Sequence, residues 1–125
     1  MEKAAVGRKG EDFAAQYYRK LGYAVKQMNY HSRYGEIDLI AENELYTAFV
    51  EVKTRDSSTR ISPREAVDYK KQQKLSLTAL GYMQETSSEK MMRFDVFEVW
   101  MHEGRIYKFN CIENAFEPSE MYNIF

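Results

Sequence analysis

The sequence predicts a single α/β domain with a central mixed β-sheet flanked by helices. Segments with helical periodicity alternate with short runs of β-branched and aromatic residues, in the order α-β-β-β-α-β-β. The chain of 125 residues is long enough for one compact domain and too short for two ordinary ones. Its charged fraction of 30% and hydrophobic fraction of 44% are typical of globular proteins. We expect one domain over residues 1–113 and a C-terminal tail over residues 114–125.

The first element is a helix predicted over residues 4–21, where apolar residues recur at helical spacing. Gly22 follows it and supplies a C-terminal stop. Residues 23–28 alternate in the manner of a strand. Residues 29–35 are polar and are predicted to connect this strand to the next one.

The second and third strands are predicted over residues 37–41 and 45–54. The three residues between them, 42–44, are polar and short enough to make a turn. These two strands are therefore expected to form a hairpin. The polar segment that follows, residues 54–61, is predicted to be a loop.

A second helix is predicted to begin at Ser62 and to end near Leu80. Serine can cap a helix, Pro63 fits the first helical position, and Glu65 completes a capping box. Two further strands are expected after it, over residues 93–102 and 106–111, joined by a turn at Glu103-Gly104.

Charge is distributed unevenly along the chain although the net charge is only −1. Residues 1–35 carry +4, residues 36–51 carry −5, residues 52–80 carry +4 and residues 81–125 carry −4. An acidic centre between two basic flanks suits a metal site in a phosphate-binding groove. An ordinary patchwork surface would give the same totals, so charge alone does not separate the two interpretations.

Several classes of protein are disfavoured by the sequence. The apolar runs fall far short of the roughly 20 residues needed to cross a bilayer. The N-terminus becomes charged before a signal-peptide core could form. Cys111 is the single cysteine, so it has no partner for an internal disulfide. We expect a cytoplasmic protein that does not associate with membranes.

Acidic residues inside two apolar strands are the main functional signal. Asp38 and Glu51 each interrupt such a run, and a buried carboxylate must be paired or must hold a metal. Side chains two residues apart share a face of a strand, which places Lys53 beside Glu51 and Glu36 beside Asp38. This set predicts a divalent metal beside a phosphate, hence a nuclease. The alternative is a solvated face with a cross-strand ion pair.

Five segments, taken in order, resemble the YraN family. This is a bacterial family of largely uncharacterised proteins, similar to archaeal Holliday junction resolvases and placed in the PD-(D/E)XK nuclease superfamily. The resemblance covers about residues 7 to 99. The segments are Gly7-x-x-Gly10-Glu11, Asn29, GEIDLIA (35–41), FVEVKTR (49–55) and Arg93-Phe94-Asp95-Val96.

The resemblance implies a restriction-endonuclease-like core and a phosphodiesterase site that uses Mg²⁺ or Mn²⁺. By motif, Asp38, Glu51 and Lys53 would be the catalytic D…(E)xK residues. Glu11 matches the acidic residue of the first helix that completes the site in many relatives. The implied metal ligands are Asp38, Glu51, Glu11 and the backbone carbonyl of Val52. Glu36 is left in a supporting role.

Basic residues near the expected groove are candidates for contacts with nucleic-acid phosphates. The second helix carries a cluster of them together with Gln72 and Gln73, one of which could support the catalytic lysine. A solvated helix face is the alternative for this cluster. The candidates are Arg33, Arg55, Arg60, Arg64, Lys70, Lys71 and Lys74.

The function expected from these observations is a metal-dependent DNA endonuclease that acts on branched or structured DNA. A homodimer would suit the symmetric cleavage of a junction. The alternative function is a non-catalytic module that retains the nuclease fold and binds nucleic acid or a protein partner.

Overall fold

Two α-helices and five β-strands make up the computed structural model, which describes residues 3–56 and 68–117. The order α-β-β-β-α-β-β agrees with the prediction, and the predicted fold class is confirmed. The elements are α1 (Lys3–Lys20), β1 (Ala24–Ser32), β2 (Gly35–Glu42), β3 (Tyr46–Asp56), α2 (Tyr69–Glu85), β4 (Met91–His102) and β5 (Arg105–Ile112).

The five strands form one mixed sheet in the order β1-β2-β3-β4-β5. Strands β3 and β4 are parallel, and the three other neighbouring pairs are antiparallel. Parallel strands need a crossover connection, and α2 lies in the connection between β3 and β4. The sheet therefore has β3 at its centre and β1 and β5 at its edges.

Each helix covers one face of the sheet. Because alternate strand residues point to opposite faces, Val50 packs in the cluster beneath α1 and Phe49 packs in the cluster beneath α2. The α1 face is built around Ala14, Tyr18, Leu39, Val50, Phe97 and Val99. The α2 face is built around Ile37, Ile40, Phe49, Leu75, Ala79 and Phe94. Neither of these helices is long and apolar enough to cross a membrane.

The end of α1 follows the predicted glycine stop. Gly22 has φ +93° and its N–H donates to the carbonyl of Arg19 at 3.0 Å. The N–H of Tyr23 donates to the carbonyl of Tyr18, also at 3.0 Å. A backbone in this region is easy for glycine and unfavourable for other residues, which fixes the helix end there.

Strand β1 is longer than the sequence predicts, and the predicted polar connection over residues 29–35 is wrong. Tyr30 pairs with Ile37 and Ser32 pairs with Gly35, so the strand continues and only two residues form the turn. The ring of Tyr30 makes an edge contact with Tyr82 of α2, at 5.3 Å between centroids. This contact with a distant helix stabilises a strand whose own residues look polar.

The start of the second helix also differs from the prediction. Asp68 has an extended backbone with φ −72° and ψ 172°, and its side chain accepts from the N–H of Lys71 at 2.8 Å. One continuous helix from Ser62 to Leu80 is therefore wrong. The predicted capping box at Ser62 lies outside the described residues. Asp68 is the N-cap of α2 because its carboxylate satisfies a free N–H of the first turn.

The end of α2 lies at Glu85, beyond the predicted end near Leu80 and past Gly81. Tyr82 and Met83 are buried on the α2 face, so burial of apolar surface carries the helix past the glycine to Glu85. A Cβ atom on Gly81 would lie 3.9 Å from the ring of Tyr34. This is an ordinary contact that an alanine could also make, so Gly81 is an interior residue of the helix and not a cap.

The two predicted hairpins beyond β1 are confirmed. Leu39 pairs with Val50 in the antiparallel ladder between β2 and β3. The turn between β4 and β5 consists of Glu103 and Gly104, with φ of +49° and +77°. Positive φ at both positions is the geometry of a two-residue type I′ turn.

A buried ion pair joins β4 to α1 and to the residues after β5. Asp95 accepts from Nε and Nη2 of Arg93 at 2.9 and 2.8 Å and from the hydroxyl of Tyr18 at 2.7 Å. The N–H of Asn114 donates to the same carboxylate at 3.0 Å. Every oxygen of Asp95 is satisfied, and Phe116 stacks on Phe94 nearby at 4.8 Å. The first residues of the predicted tail thus pack on the domain.

Candidate active site

Asp38 is fixed by a backbone group of the neighbouring strand. The regular pairing of β2 with β3 ends at Leu39 and Val50. Just beyond it, the N–H of Val52 donates to Oδ2 of Asp38 at 2.8 Å. The aspartate therefore replaces the next ladder contact, and its carboxylate is held at a defined position against the segment from Glu51 to Lys53.

Glu51 and Lys53 project from the α2 side of β3, as the two-residue period predicts. Nζ of Lys53 lies 3.7 Å from Oε1 of Glu51, and the two side chains are 20% and 10% exposed. Phe49, one step earlier on the same face, is part of the apolar cluster under α2. Along this face of β3 the side chains thus change from apolar to charged, and the charged ones remain largely shielded from solvent.

Helix α2 adds a second ammonium group to this lining. Nζ of Lys71 lies 2.5 Å from Oε1 of Glu51. Its side chain is 43% exposed, so it reaches the carboxylate from the solvent side. We predicted Lys71 as a phosphate contact on the helix surface, but in the structure its ammonium group is part of the acidic centre.

Glu11 reaches the same region from the opposite helix because α1 lies unusually close to β3. A Cβ atom on Gly10 would lie 2.0 Å from Oγ1 of Thr54, so only glycine fits there without a shift. The Glu11 carboxylate accepts a hydrogen bond from the side chain of Asn29. Asn29 lies between Met28 and Tyr30, whose partners flank Asp38 in the sheet, and its φ is +54°. Asparagine tolerates this conformation better than most residues.

The electrostatics of the site follow from three carboxylates gathered at one end of the central strands. Burial, with the charge of Glu51 as the next cause, raises the pKa of Asp38 to about 7. The hydrogen bond from Val52 and the charge of Lys71 act in the opposite direction. Burial also raises the pKa of Glu11, and Glu36 and Glu51 add to this by repulsion. Carboxylates that repel one another in a partly buried place are typical of functional sites.

The chemistry of these donors suits a hard divalent cation. Asp38 and Glu51 offer carboxylate oxygens, the ligands that Mg²⁺ and Mn²⁺ prefer. Their mutual repulsion would be relieved by a cation, and Lys71 already places a positive charge on Glu51. Within the described stretches, no three His, Cys, Asp or Glu side chains lie close enough together to hold a metal. Asp38 and Glu51 are therefore the two side chains that would hold the ion, together with the Val52 carbonyl, and the predicted ligand Glu11 would have to move closer to join them.

Glu36 lies at the exposed rim of the site. Its Oε2 is 3.3 Å from Nδ1 of His31, and both side chains are 68% exposed. The regular alternation of faces along β2 breaks between Glu36 and Asp38, because Ile37 packs on the α2 face and Leu39 on the α1 face. Glu36 consequently acts on the site through its charge near Glu11.

The predicted phosphate contacts occupy different environments. Lys70 and Lys74 are exposed on α2. Arg33 is exposed in the β1–β2 turn, where it donates to the hydroxyl of Tyr34 at 2.6 Å. Arg55 has a buried Nε and Nη2, neither of which finds an acceptor among residues 3–56 and 68–117. Arg60 and Arg64 lie outside the described residues, and Gln72 and Gln73 are both half-buried.

Glu98 is a residue of this region that sequence analysis missed. It is buried on β4, with 1% of its surface exposed, and it is the register partner of Lys53. Its Oε1 accepts from Nδ2 of Asn110 at 3.3 Å. The signal was available, because Glu98 interrupts an apolar strand in the same way as Glu51 does.

Comparison with known sequences agrees with the resemblance stated above. The model of an uncharacterised protein family, UPF0102, matches residues 10–99, which include Glu11, Asp38, Glu51 and Lys53. The chain belongs to UPF0102. Membership of the YraN family, predicted from the sequence, is thereby confirmed. The family is uncharacterised, so its name carries no activity to this UPF0102 chain.

Other UPF0102 proteins match along most of their length. The one from Syntrophomonas wolfei is 43% identical over 112 residues, which are 89% of this chain and 96% of the relative. The one from Caldanaerobacter subterraneus is 42% identical over 119 residues, or 93% of this chain and 98% of the relative. The one from Clostridium acetobutylicum is 42% identical over 113 residues, or 89% and 93%.

Proposed function

We propose that this UPF0102 protein is a metal-dependent endonuclease that hydrolyses phosphodiester bonds in branched or structured DNA. The observation that carries the proposal is the Asp38 carboxylate held by the Val52 N–H at 2.8 Å beside Glu51 and Lys53. A folding protein gains little from three ionisable groups in apolar strands. Their retention in one place is best explained by a cation and a phosphate that they bind together.

Each residue has a distinct role in this proposal. Asp38 and Glu51 hold Mg²⁺ or Mn²⁺, with Glu11 and the carbonyl of Val52 as additional ligands. Such an ion would neutralise charge on the phosphate and make its bound water more acidic. Lys53 lies 3.7 Å from Glu51, where it offsets charge on the scissile phosphate or orients the attacking water.

Basic residues around the site would bind the phosphates of the nucleic acid. Lys70 and Lys74 are exposed on the helix that carries Lys71, so they can contact phosphates of a nucleic acid bound at the site. Arg55 follows Lys53 on β3 and has buried donors with no acceptor in the described part of the chain. A phosphate could satisfy them only if the side chains that bury them moved aside. Symmetric cutting of a four-way junction would require two copies of the protein, hence the proposed homodimer.

Cleavage assays with matched variants test the proposal. Plasmid, single-stranded and four-way-junction DNA are incubated with Mg²⁺, Mn²⁺ or EDTA. Asp38→Asn, Glu51→Gln and Lys53→Met are each expected to reduce cleavage at least about a hundredfold, because each removes charge stabilisation at the reacting phosphate.

Glu42→Gln is the control for these variants. It removes a carboxylate from the same strand as Asp38, where Oε1 of Glu42 lies 2.6 Å from Nζ of Lys90, away from the site. Cleavage by this variant should equal that of the wild type. No metal-dependent cleavage of any substrate, or equal cleavage by Glu51→Gln and the wild type, would overturn the proposal.

One observation favours the alternative of a non-catalytic binding module. Lys71 already places a positive charge on Glu51, so the chain supplies its own counter-ion at this position. In that case the basic residues would bind nucleic acid or an acidic partner without cleavage. Calorimetric titration with Mn²⁺ separates the two functions, because only the nuclease requires binding that Asp38→Asn abolishes.

A further inference from the structure

Two ammonium groups approach the same oxygen of Glu51 from different elements. Nζ of Lys71 lies 2.5 Å from Oε1 and Nζ of Lys53 lies 3.7 Å from it. Lys53 is on the central strand and is 20% exposed, whereas Lys71 is 43% exposed on the first turn of α2. The closer cation is thus the one whose side chain can move away into solvent.

The backbone of Lys71 is anchored while its side chain is long and flexible. Its N–H donates to the N-cap carboxylate of Asp68 at 2.8 Å, which fixes the backbone at the start of the helix. Four methylene groups separate this backbone from the ammonium group. The ammonium group can therefore change partners without any movement of the helix.

We propose that Lys71 is an internal counter-ion, which leaves Glu51 when a divalent metal binds and then contacts a DNA phosphate. This inference rests on the proposed function, because it takes Glu51 as a metal ligand. A Mg²⁺ ion lies about 2.1 Å from its ligand oxygens. An ammonium group on the same carboxylate oxygen would then lie next to the ion, and the two positive charges would repel each other. Released from Glu51, the ammonium group faces the solvent side of the site, from which DNA must approach.

If Lys71 has this role, its removal should have two opposite effects, one without metal and one with metal. In the absence of metal, Asp38 and Glu51 lose the cation that offsets their repulsion, so the fold becomes less stable. In the presence of metal, the ion no longer has to displace an ammonium group, so it binds more tightly. A residue that only contacts DNA would produce neither effect.

Calorimetric titration and thermal unfolding of the full chain test these effects on metal affinity and on stability. Lys71→Met is expected to lower the Kd for Mn²⁺ about tenfold, to lower the Tm in EDTA, and to recover that Tm when Mn²⁺ is added. Lys20→Met is the control, since Lys20 is an exposed helix lysine with no role at the site, and it should leave both quantities unchanged. Should Lys71→Met fail to fold in EDTA, Lys71→Gln, which keeps a polar side chain, replaces it.

The outcomes separate this inference from the proposed function. If the wild type binds Mn²⁺ and Lys71→Met binds it no more tightly, the counter-ion role is overturned while the metal site stands. If neither protein binds Mn²⁺, both are overturned.

Anisotropy of labelled junction DNA tests the second half of the inference. In Ca²⁺, used here as a metal that occupies the site, Lys71→Met should weaken DNA binding several-fold and lower the salt dependence by about one phosphate contact. In EDTA it should have little effect, because the wild-type lysine is then engaged by Glu51. An equal loss in both conditions, or none in either, overturns the exchange of partners.

Discussion

At the scale of single residues, Asp38 has the carboxyl group whose chemistry is changed most by the fold. Its pKa is raised to about 7, first by burial and next by the charge of Glu51. A carboxyl group in an unfolded chain titrates near 4. Between these two values the native protein retains a proton that the unfolded chain has lost. Near neutral pH, Asp38 therefore changes between its protonated and its charged form.

The first prediction concerns the pH dependence of stability without metal. Since the native state binds more protons between about pH 4 and 7, the contribution of Asp38 to the free energy of unfolding falls as pH rises through that window. Its size is on the order of 2–4 kcal/mol. Asp38→Asn should flatten the dependence, measured by urea unfolding in EDTA from pH 4.5 to 8. An identical profile for the variant and the wild type would contradict the raised pKa.

The second prediction concerns the buried carboxylate of Asp95. Tyr18→Phe removes the 2.7 Å hydrogen bond to Oδ2 while it keeps the aromatic packing. We expect a loss of about 1.5–3 kcal/mol in the free energy of unfolding, as for a bond to a charged group. The control is Tyr107→Phe, where the side chain is 59% exposed on β5 and should change stability little. Equal effects of the two changes would mean that the hydrogen bond adds nothing to stability.

At the scale of elements, the position of α1 depends on one glycine in its interior. Gly10 lets the helix backbone approach Thr54 of β3, and the next residue, Glu11, thereby reaches the acidic centre. Gly7 lies one turn earlier and has nothing within 4 Å of an added Cβ atom. Packing thus requires glycine at position 10 of this helix but not at position 7.

The third prediction uses this difference. Gly10→Ala should cost about 1–3 kcal/mol, because the added methyl group overlaps Thr54. It should also reduce cleavage, because it displaces Glu11. Gly7→Ala should stabilise the protein by about 0.5–1 kcal/mol, as alanine favours a helix interior. Urea unfolding and the cleavage assay measure both changes, and a stabilising Gly10→Ala would show that α1 has room at this point.

Sequence reasoning at this scale succeeded where local pattern decides the structure and failed where distant contacts do. The two-residue period placed Glu51 and Lys53 on one face without knowledge of the fold. The extension of β1 could not be predicted, because Tyr30 is held by Tyr82, which lies far along the chain. The N-cap at Asp68 competes with an equally good signal at Ser62, and local sequence cannot choose between them.

The site shows the same division. Asp38 and Glu51 were identified because a charge in an apolar strand is costly. The contact of Lys71 with Glu51 joins a helix to a strand, and a surface lysine gives no sign of it in sequence. Glu98 also places a charge in an apolar strand, so the same reasoning that identified Glu51 could have identified it.

At the scale of the whole molecule, burial is concentrated in the two central strands. Most residues of β4 and the first half of β3 are buried, and each is covered on both faces. Most residues of β1 and β5 are exposed or half-buried. The protein therefore has a rigid centre that carries Glu51, between two less protected edges.

The fourth prediction follows from this gradient. In hydrogen exchange followed by mass spectrometry, peptides from β3 and β4 should exchange slowest, near the rate set by global unfolding. Peptides from β1 and β5 should exchange faster, through local opening of the edges. Protection of β5 equal to that of β4 would contradict the gradient and would indicate that another surface covers this edge.

The hydrogen bond between Asp38 and Val52 spans only 14 residues of sequence. The entropy cost of closing so short a loop is small. The contact between the two acidic strands therefore costs less chain entropy than the parallel pairing of β3 with β4, which closes a longer loop across α2. The helices that bring Glu11 and Lys71 pack on the sheet from opposite faces. Changes in either helix can thus move Glu11 or Lys71, while the hairpin keeps Asp38, Glu51 and Lys53 in place.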